Sequence, residues 1–125
     1  MKFLIVDDFL PVRRIISRLI QEIGENESVE AENGIAALRK LRAGNFDFVI
    51  TDIEMPEMNG IELLAAIKSD PLLRQIPVLL VSGASGIKAK MAYVDAGADG
   101  YLSKPFKAAT LRNIVNRIVG GGFGG

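Results

Sequence analysis

An alternation of two apolar patterns constrains this chain more than anything else in it. Phe3-Leu4-Ile5-Val6, Phe48-Val49-Ile50 and Val78-Leu79-Leu80-Val81 are short continuous apolar runs. Strands buried on both faces read this way, whereas half-solvated strands alternate. Helical periods lie between and after them. Val12, Ile15, Ile16, Leu19, Ile20 and Ile23 recur at i, i+3, i+4 spacing, with Pro11 suited to a first turn and Gly24 to a stop. Leu111, Ile114, Val115, Ile118 and Val119 draw the same stripe, and Ile35, Leu38 and Leu41 a shorter one ending at Gly44. Fainter patterns give a strand at Ser28 to Glu32, a helix at Gly60 to Ser69, a helix at Gly86 to Ala96 and a strand at Gly100 to Leu102. The sum is five β-then-α units. Short connections then imply an α/β fold, a doubly wound parallel sheet with right-handed crossovers and helices on both faces.

Composition narrows the chemistry. The 125 residues contain no Cys and no His, which excludes disulfide frameworks, thiolate or imidazole metal sites and triads with a His base. Carboxylates, Lys, hydroxyls and backbone remain. Fifteen basic and fifteen acidic residues cancel, so the electrostatic footprint of direct nucleic-acid binding is missing. Asp7-Asp8 cut the first apolar run far short of a signal peptide, and no apolar stretch approaches a membrane span. We expect one cytoplasmic domain over 1–119. Five of the chain's 13 glycines stand in its last six residues, so 120–125 reads as a flexible glycine-rich tail.

Doubly wound sheets place their sites beyond the carboxyl ends of the strands. Asp7 and Asp8 follow the first strand, Asp52 the third, Ser82 the fourth and Lys104 the fifth. Taken singly, such residues are ordinary turn and cap formers. Together they share one rim. Two unit charges about 4 Å apart repel by roughly 4 kcal/mol at an effective dielectric near 20, so three carboxylates there call for a cation. All-oxygen ligation points to Mg²⁺ or Mn²⁺, and the set suits phosphoryl transfer: an aspartate nucleophile, a Lys and metal to neutralise charge, a hydroxyl to donate.

An acidic pair, Asp52-x-x-Met55-Pro56-x-Met58-x-Gly60, a hydroxyl at Ser82, and Ala96-Gly97-Ala98-x-Gly100-Tyr101-x-x-Lys104-Pro105-Phe106 resemble the receiver domains of two-component response regulators. The resemblance covers residues 2 to 119. With Phe9 and Arg13-Arg14 it is similar in particular to the CheY-like chemotaxis branch. It implies a flavodoxin-like fold of strand order 2-1-3-4-5 and a cis peptide before Pro105. It implies that Asp52 accepts a phosphoryl group from a sensor histidine kinase. Mg²⁺ would be held by Asp8, Asp52 and the Glu54 backbone carbonyl, and by Asp7 through water. Lys104 would pair with the phosphoryl oxygens. Ser82 and Tyr101 would be the switch residues that change the surface of helix four, strand five and helix five for a downstream protein or output domain. Such a chain is a phosphoacceptor and no enzyme beyond self-phosphorylation from phosphodonors and autodephosphorylation. Two positions depart from the branch: Glu54 stands where it carries Asn, and Ala84 where it carries Glu. A Mg²⁺-dependent aspartyl-phosphate phosphatase of the haloacid dehalogenase kind is the alternative, suggested by Asp52-Ile53-Glu54. Its Asp-x-Asp motif, however, belongs after the first strand.

Overall fold

The computed structural model describes residues 1–83 and 87–120, and for 87–90 the backbone alone. Among these residues five strands alternate with five helices. They are β1 (Lys2–Val6), α1 (Leu10–Ile23), β2 (Glu27–Ala31), α2 (Gly34–Ala43), β3 (Phe48–Asp52), α3 (Gly60–Ser69), β4 (Val78–Ser82), α4 (Ile87–Asp95), β5 (Gly100–Ser103) and α5 (Ala108–Val119). The strands form one sheet in the order β2-β1-β3-β4-β5, and every neighbouring pair is parallel. The winding direction therefore reverses between β1 and β3, and the crevice beyond their carboxyl ends is the natural place for a site.

The continuous apolar runs are explained by two cores. Side chains alternate across a strand, so Phe3 and Ile5 of β1 join Phe48 and Ile50 of β3 on one face, where Ile16, Ile20, Leu111 and Val115 of α1 and α5 cover them. Leu4 and Val6 with Val49 point the other way, onto Leu38 and Leu41 of α2 and Leu63, Leu64 and Ile67 of α3, with Tyr93 of α4 at the margin. Each such apolar side chain contributes about 1.5–3 kcal/mol when fully buried. The edge strand β2 is only partly buried, which is why its pattern is faint in the sequence.

Local signals set the helix starts. Asn33 caps α2 by accepting from Ala36 N–H at 2.8 Å. Asn59 and Glu62 form a reciprocal capping box on α3, with Asn59 Oδ1 accepting from Glu62 N–H at 2.8 Å and Glu62 Oε1 from Asn59 N–H at 3.1 Å. Pro11 lies in the first turn of α1, as its spacing predicts. Gly24 ends that helix in an extended conformation, φ 176°.

Some boundaries shift. β2 runs one residue earlier than the sequence suggests. β3 and β4 extend through Asp52 and Ser82, which the sequence places after them. Asp52 pairs with Val81 and Ser82 with Ser103, because ladder pairing uses the backbone and is indifferent to a polar side chain at its last rung. The expected helix start at Gly86, the departure at Ala84 and the tail from 121 onward lie outside the described residues. No helix among the described residues is long and apolar enough to cross a membrane.

Candidate functional site

Asp7, Asp8 and Asp52 each offer a carboxylate oxygen within 4.8 Å of the other two. Their settings differ. Asp52 is the last residue of β3 and 5% exposed, Asp7 follows β1 and is 1% exposed, and Asp8 faces solvent. Lys104, just past β5, aims its ammonium at the buried pair, with Nζ 3.2 Å from Asp52 Oδ1 and 3.5 Å from Asp7 Oδ2. The Lys104–Pro105 peptide is cis, as the resemblance implied.

Asp7 is already well engaged. Its Oδ1 accepts from Phe9 N–H at 2.8 Å, while its carbonyl accepts from Arg13 Nη1 at 2.7 Å and Arg13 Nε donates to Glu30 Oε1 at 2.8 Å. Arg13 thus fastens the acidic loop to β2. Asp52 is the opposite case. Among the described residues Oδ1 is buried without a hydrogen-bond partner, although the Lys104 charge lies 3.2 Å away. Burial, and after it the Asp7 charge, push the Asp52 carboxyl up to about 6 against the pull of Lys104. For Lys104, burial pulls downward but Asp7 and Asp52 outweigh it and hold the ammonium above its ordinary range. The site is therefore short of positive charge and has an oxygen lacking a hydrogen bond, a donor set that suits a hard divalent cation such as Mg²⁺.

The loop after β3 is packed against its own strand. A Cβ at Gly60 would sit 2.2 Å from the Asp52 carbonyl oxygen and 2.8 Å from Ile53 Cα, so only glycine lets α3 begin there. Glu57, in the same loop, holds φ 67°, a left-handed conformation that L side chains rarely adopt.

Ser82 ends β4 and is fully buried. Its Oγ donates to Glu54 Oε1 at 2.7 Å, and its carbonyl accepts from Lys104 N–H at 2.7 Å. Among the described residues nothing lies within 4 Å of a Cβ built at Gly83. Tyr101 in β5 is half-buried, with its ring 4.8 Å from that of Tyr93 in α4. Burial, then Tyr93 and Glu54, raise its phenol above the ordinary value.

The structure thus brings together Asp7, Asp8, Asp52 and Lys104, and sets Ser82 and Glu54 at the neighbouring strand ends, with Tyr101 inside β5. Sequence reasoning missed Arg13 as the brace of the acidic loop and the Glu54 carboxylate as the partner of Ser82. Arg13 was within reach, since its spacing from Asp7 puts it in the first turn of the following helix. The second contact joins residues 28 apart, and no local spacing signals it.

The profile of the response regulator receiver domain matches residues 3–116. Chemotaxis protein CheY-3 of Vibrio cholerae is 44% identical over 118 residues, covering 94% of this chain and 91% of the relative. Chemotaxis protein CheY of Pseudomonas aeruginosa is 43% identical over 118 residues, with 94% and 95% covered. Among solved structures, CheY4 of Vibrio cholerae aligns with TM-score 0.86 at 32% identity over 94% of this chain and 97% of its own. The receiver domain of a Syntrophus aciditrophicus signal transduction histidine kinase aligns with TM-score 0.87 at 32% identity, covering 96% and 90%. The phosphatase alternative finds no support in these matches. A flavodoxin-like sheet of order 2-1-3-4-5, acidic residues and a lysine converging at its carboxyl edge, and this similarity along nearly the whole length make the chain a CheY-like member of the response regulator receiver domain family, a module of phosphorylation-dependent two-component signalling.

Proposed function

We propose that Asp52 is the phosphoacceptor of this receiver. The observation that carries this reading is the buried Asp52 carboxylate, with Lys104 Nζ at 3.2 Å and one oxygen without a hydrogen bond among the described residues. A carboxylate oxygen of Asp52 attacks the phosphorus of a phosphohistidine on a sensor histidine kinase. The new P–O bond forms as the P–N bond breaks, and the departing imidazole keeps the electron pair and takes a proton from solvent. Asp8 and Asp52 would hold Mg²⁺ directly, with the Glu54 backbone carbonyl as a further ligand and Asp7 acting through water. When bound, that ion neutralises charge on the phosphoryl oxygens. Lys104 pairs with one of those oxygens and Ser82 donates its hydroxyl to another. Water later cleaves the acyl phosphate and restores the carboxylate, so the domain's only chemistry is self-phosphorylation and autodephosphorylation.

A phosphodonor needs a seat beside Asp52. An apolar groove of about 560 Å³ borders Lys104 and is lined by Val12, Ile15 and Leu19 of α1 and by Pro105 and Phe106. Phe9, Leu10 and Ile15 are exposed at the start of α1, and we assign this rim to the kinase. On the far side, exposed Met91 and Val94 of α4 adjoin β5, and we assign the α4, β5 and α5 face to the downstream partner, with Tyr101 adjusting to the state of Ser82. The named relatives are chemotaxis proteins, and we read the present chain as a chemotaxis-type regulator of the cytoplasm.

The test is intact-mass measurement after incubation with acetyl phosphate and Mg²⁺. Wild type should gain one labile phosphoryl group and Asp52→Asn none. A wild type that never gains it, while hydrolysing many phosphate esters, would overturn the reading.

A further inference from the structure

Glu54 is exposed at the residue level, yet one of its oxygens is committed to a fully buried group: Ser82 Oγ donates to Glu54 Oε1 at 2.7 Å. The acceptor is a carboxylate, so the bond is of the charge-assisted kind, stronger than a neutral pair. The contact spans the carboxyl ends of two adjacent strands, since β3 pairs with β4 up to the rung of Asp52 and Val81. The Glu54 charge is also near enough to push both Asp52 and Tyr101 upward.

A serine hydroxyl has a single proton to donate. While that proton points at Glu54 it cannot serve an anion on Asp52. We propose that Glu54 is a positioning residue that latches the Ser82 hydroxyl in the resting state, so that any anion seated on Asp52 must draw the hydroxyl away from the Glu54 carboxylate. The inference rests on the phosphoacceptor reading and adds to it a built-in threshold. Where only the unlatched fraction binds productively, apparent affinity falls in proportion to that fraction. The latch is distinct from simple repulsion between Glu54 and an incoming anion, because it acts through Ser82 alone.

A double-mutant cycle separates the two. Binding of beryllofluoride at fixed Mg²⁺ is followed by ¹⁹F NMR in wild type, Glu54→Ala, Ser82→Ala and the double variant, all first checked for wild-type-like melting. With Ser82 present, Glu54→Ala should tighten binding about 5-fold, the net scale of one intramolecular hydrogen bond after competition with water. In the Ser82→Ala background the same substitution should change it less than about 2-fold, the range of an exposed charge contact. Glu54→Gln, which keeps an acceptor but loses the charge, should fall between wild type and Glu54→Ala, and it replaces Glu54→Ala in the cycle should that variant melt early. An equal factor in both backgrounds means repulsion alone and overturns the latch, as does weaker binding by Glu54→Ala when Ser82 is intact. No bound signal in any of these proteins would overturn the phosphoacceptor reading itself.

Discussion

The body of β3 and its last residue obey opposite rules. From Phe48 to Ile50 every side chain is apolar, buried and packed against a helix layer. Two residues later Asp52 is nearly as buried, yet it carries a charge, keeps an oxygen without a hydrogen bond among the described residues and faces a second buried carboxylate. The strand body contributes stability that its end partly gives up, and the end is tolerable only because the body holds it in place. Receiver chemistry needs that surrender: a carboxylate satisfied by neighbours would have no reason to take a metal ion or a phosphoryl group.

Substitutions in the two regions should therefore change stability in opposite directions. The largest effect belongs to the body. Ile50→Ala should lower unfolding free energy by about 2–5 kcal/mol in urea titrations, the usual result of removing a fully buried aliphatic side chain. A loss under 1 kcal/mol would mean that the two-sided core is looser than its packing implies.

At the strand end the sign reverses. The Asp52 carboxyl titrates at about 6 in the fold against an ordinary 3.8, so the folded state holds its proton more tightly. The metal-free protein should lose stability as pH rises from about 4 to 6, by up to about 3 kcal/mol at 1.36 kcal/mol per unit. Asp52→Asn should remove that loss. In chelator the variant should be the more stable protein above pH 6 and should match wild type below pH 4. A variant that is less stable at pH 7.5 would break the comparison.

Mg²⁺ should narrow the gap between the two regions. At ten times its dissociation constant it should add about 1.4 kcal/mol to wild type, read as a rise in Tm, and clearly less to Asp8→Ala. Equal shifts would remove Asp8 from the metal site. The smallest effect is expected at Glu57. Its φ of 67° suits Asn or Gly better than Glu, so Glu57→Asn should gain a few tenths to about 1 kcal/mol. No gain would show that the loop after β3 relaxes without loss.

How much of this was legible in the sequence depends on the distance over which each feature is decided. Periodicity is local, and the runs at Phe3, Phe48 and Val78 together with the stripe from Val12 to Ile23 suffice for the sheet and its helices. The rim residues were legible as a set because a doubly wound sheet brings strand ends together wherever they lie in the chain. The partly buried edge strand β2 shows where this stops: with one flank unpaired and mixed burial it leaves no clean pattern, and its bounds shift by a residue. Pairwise contacts are less legible still. Nothing near Glu54 announces that its carboxylate meets Ser82, and nothing near Asp7 announces which of its oxygens Lys104 approaches.

The bond from Lys104 N–H to the Ser82 carbonyl carries one more consequence. Lys104 and Ser82, the two groups assigned to grip different oxygens of one anion, are the jaws of a caliper whose rivet is this backbone contact. Their gauge is inherited from the spacing of neighbouring strands, a near-constant of all β-sheets, rather than from the segments that follow β4 and β5. Those segments can lengthen, shorten or change composition to suit a new partner while the opening between the jaws stays fixed, so partner choice and anion grip can diverge independently in one small fold.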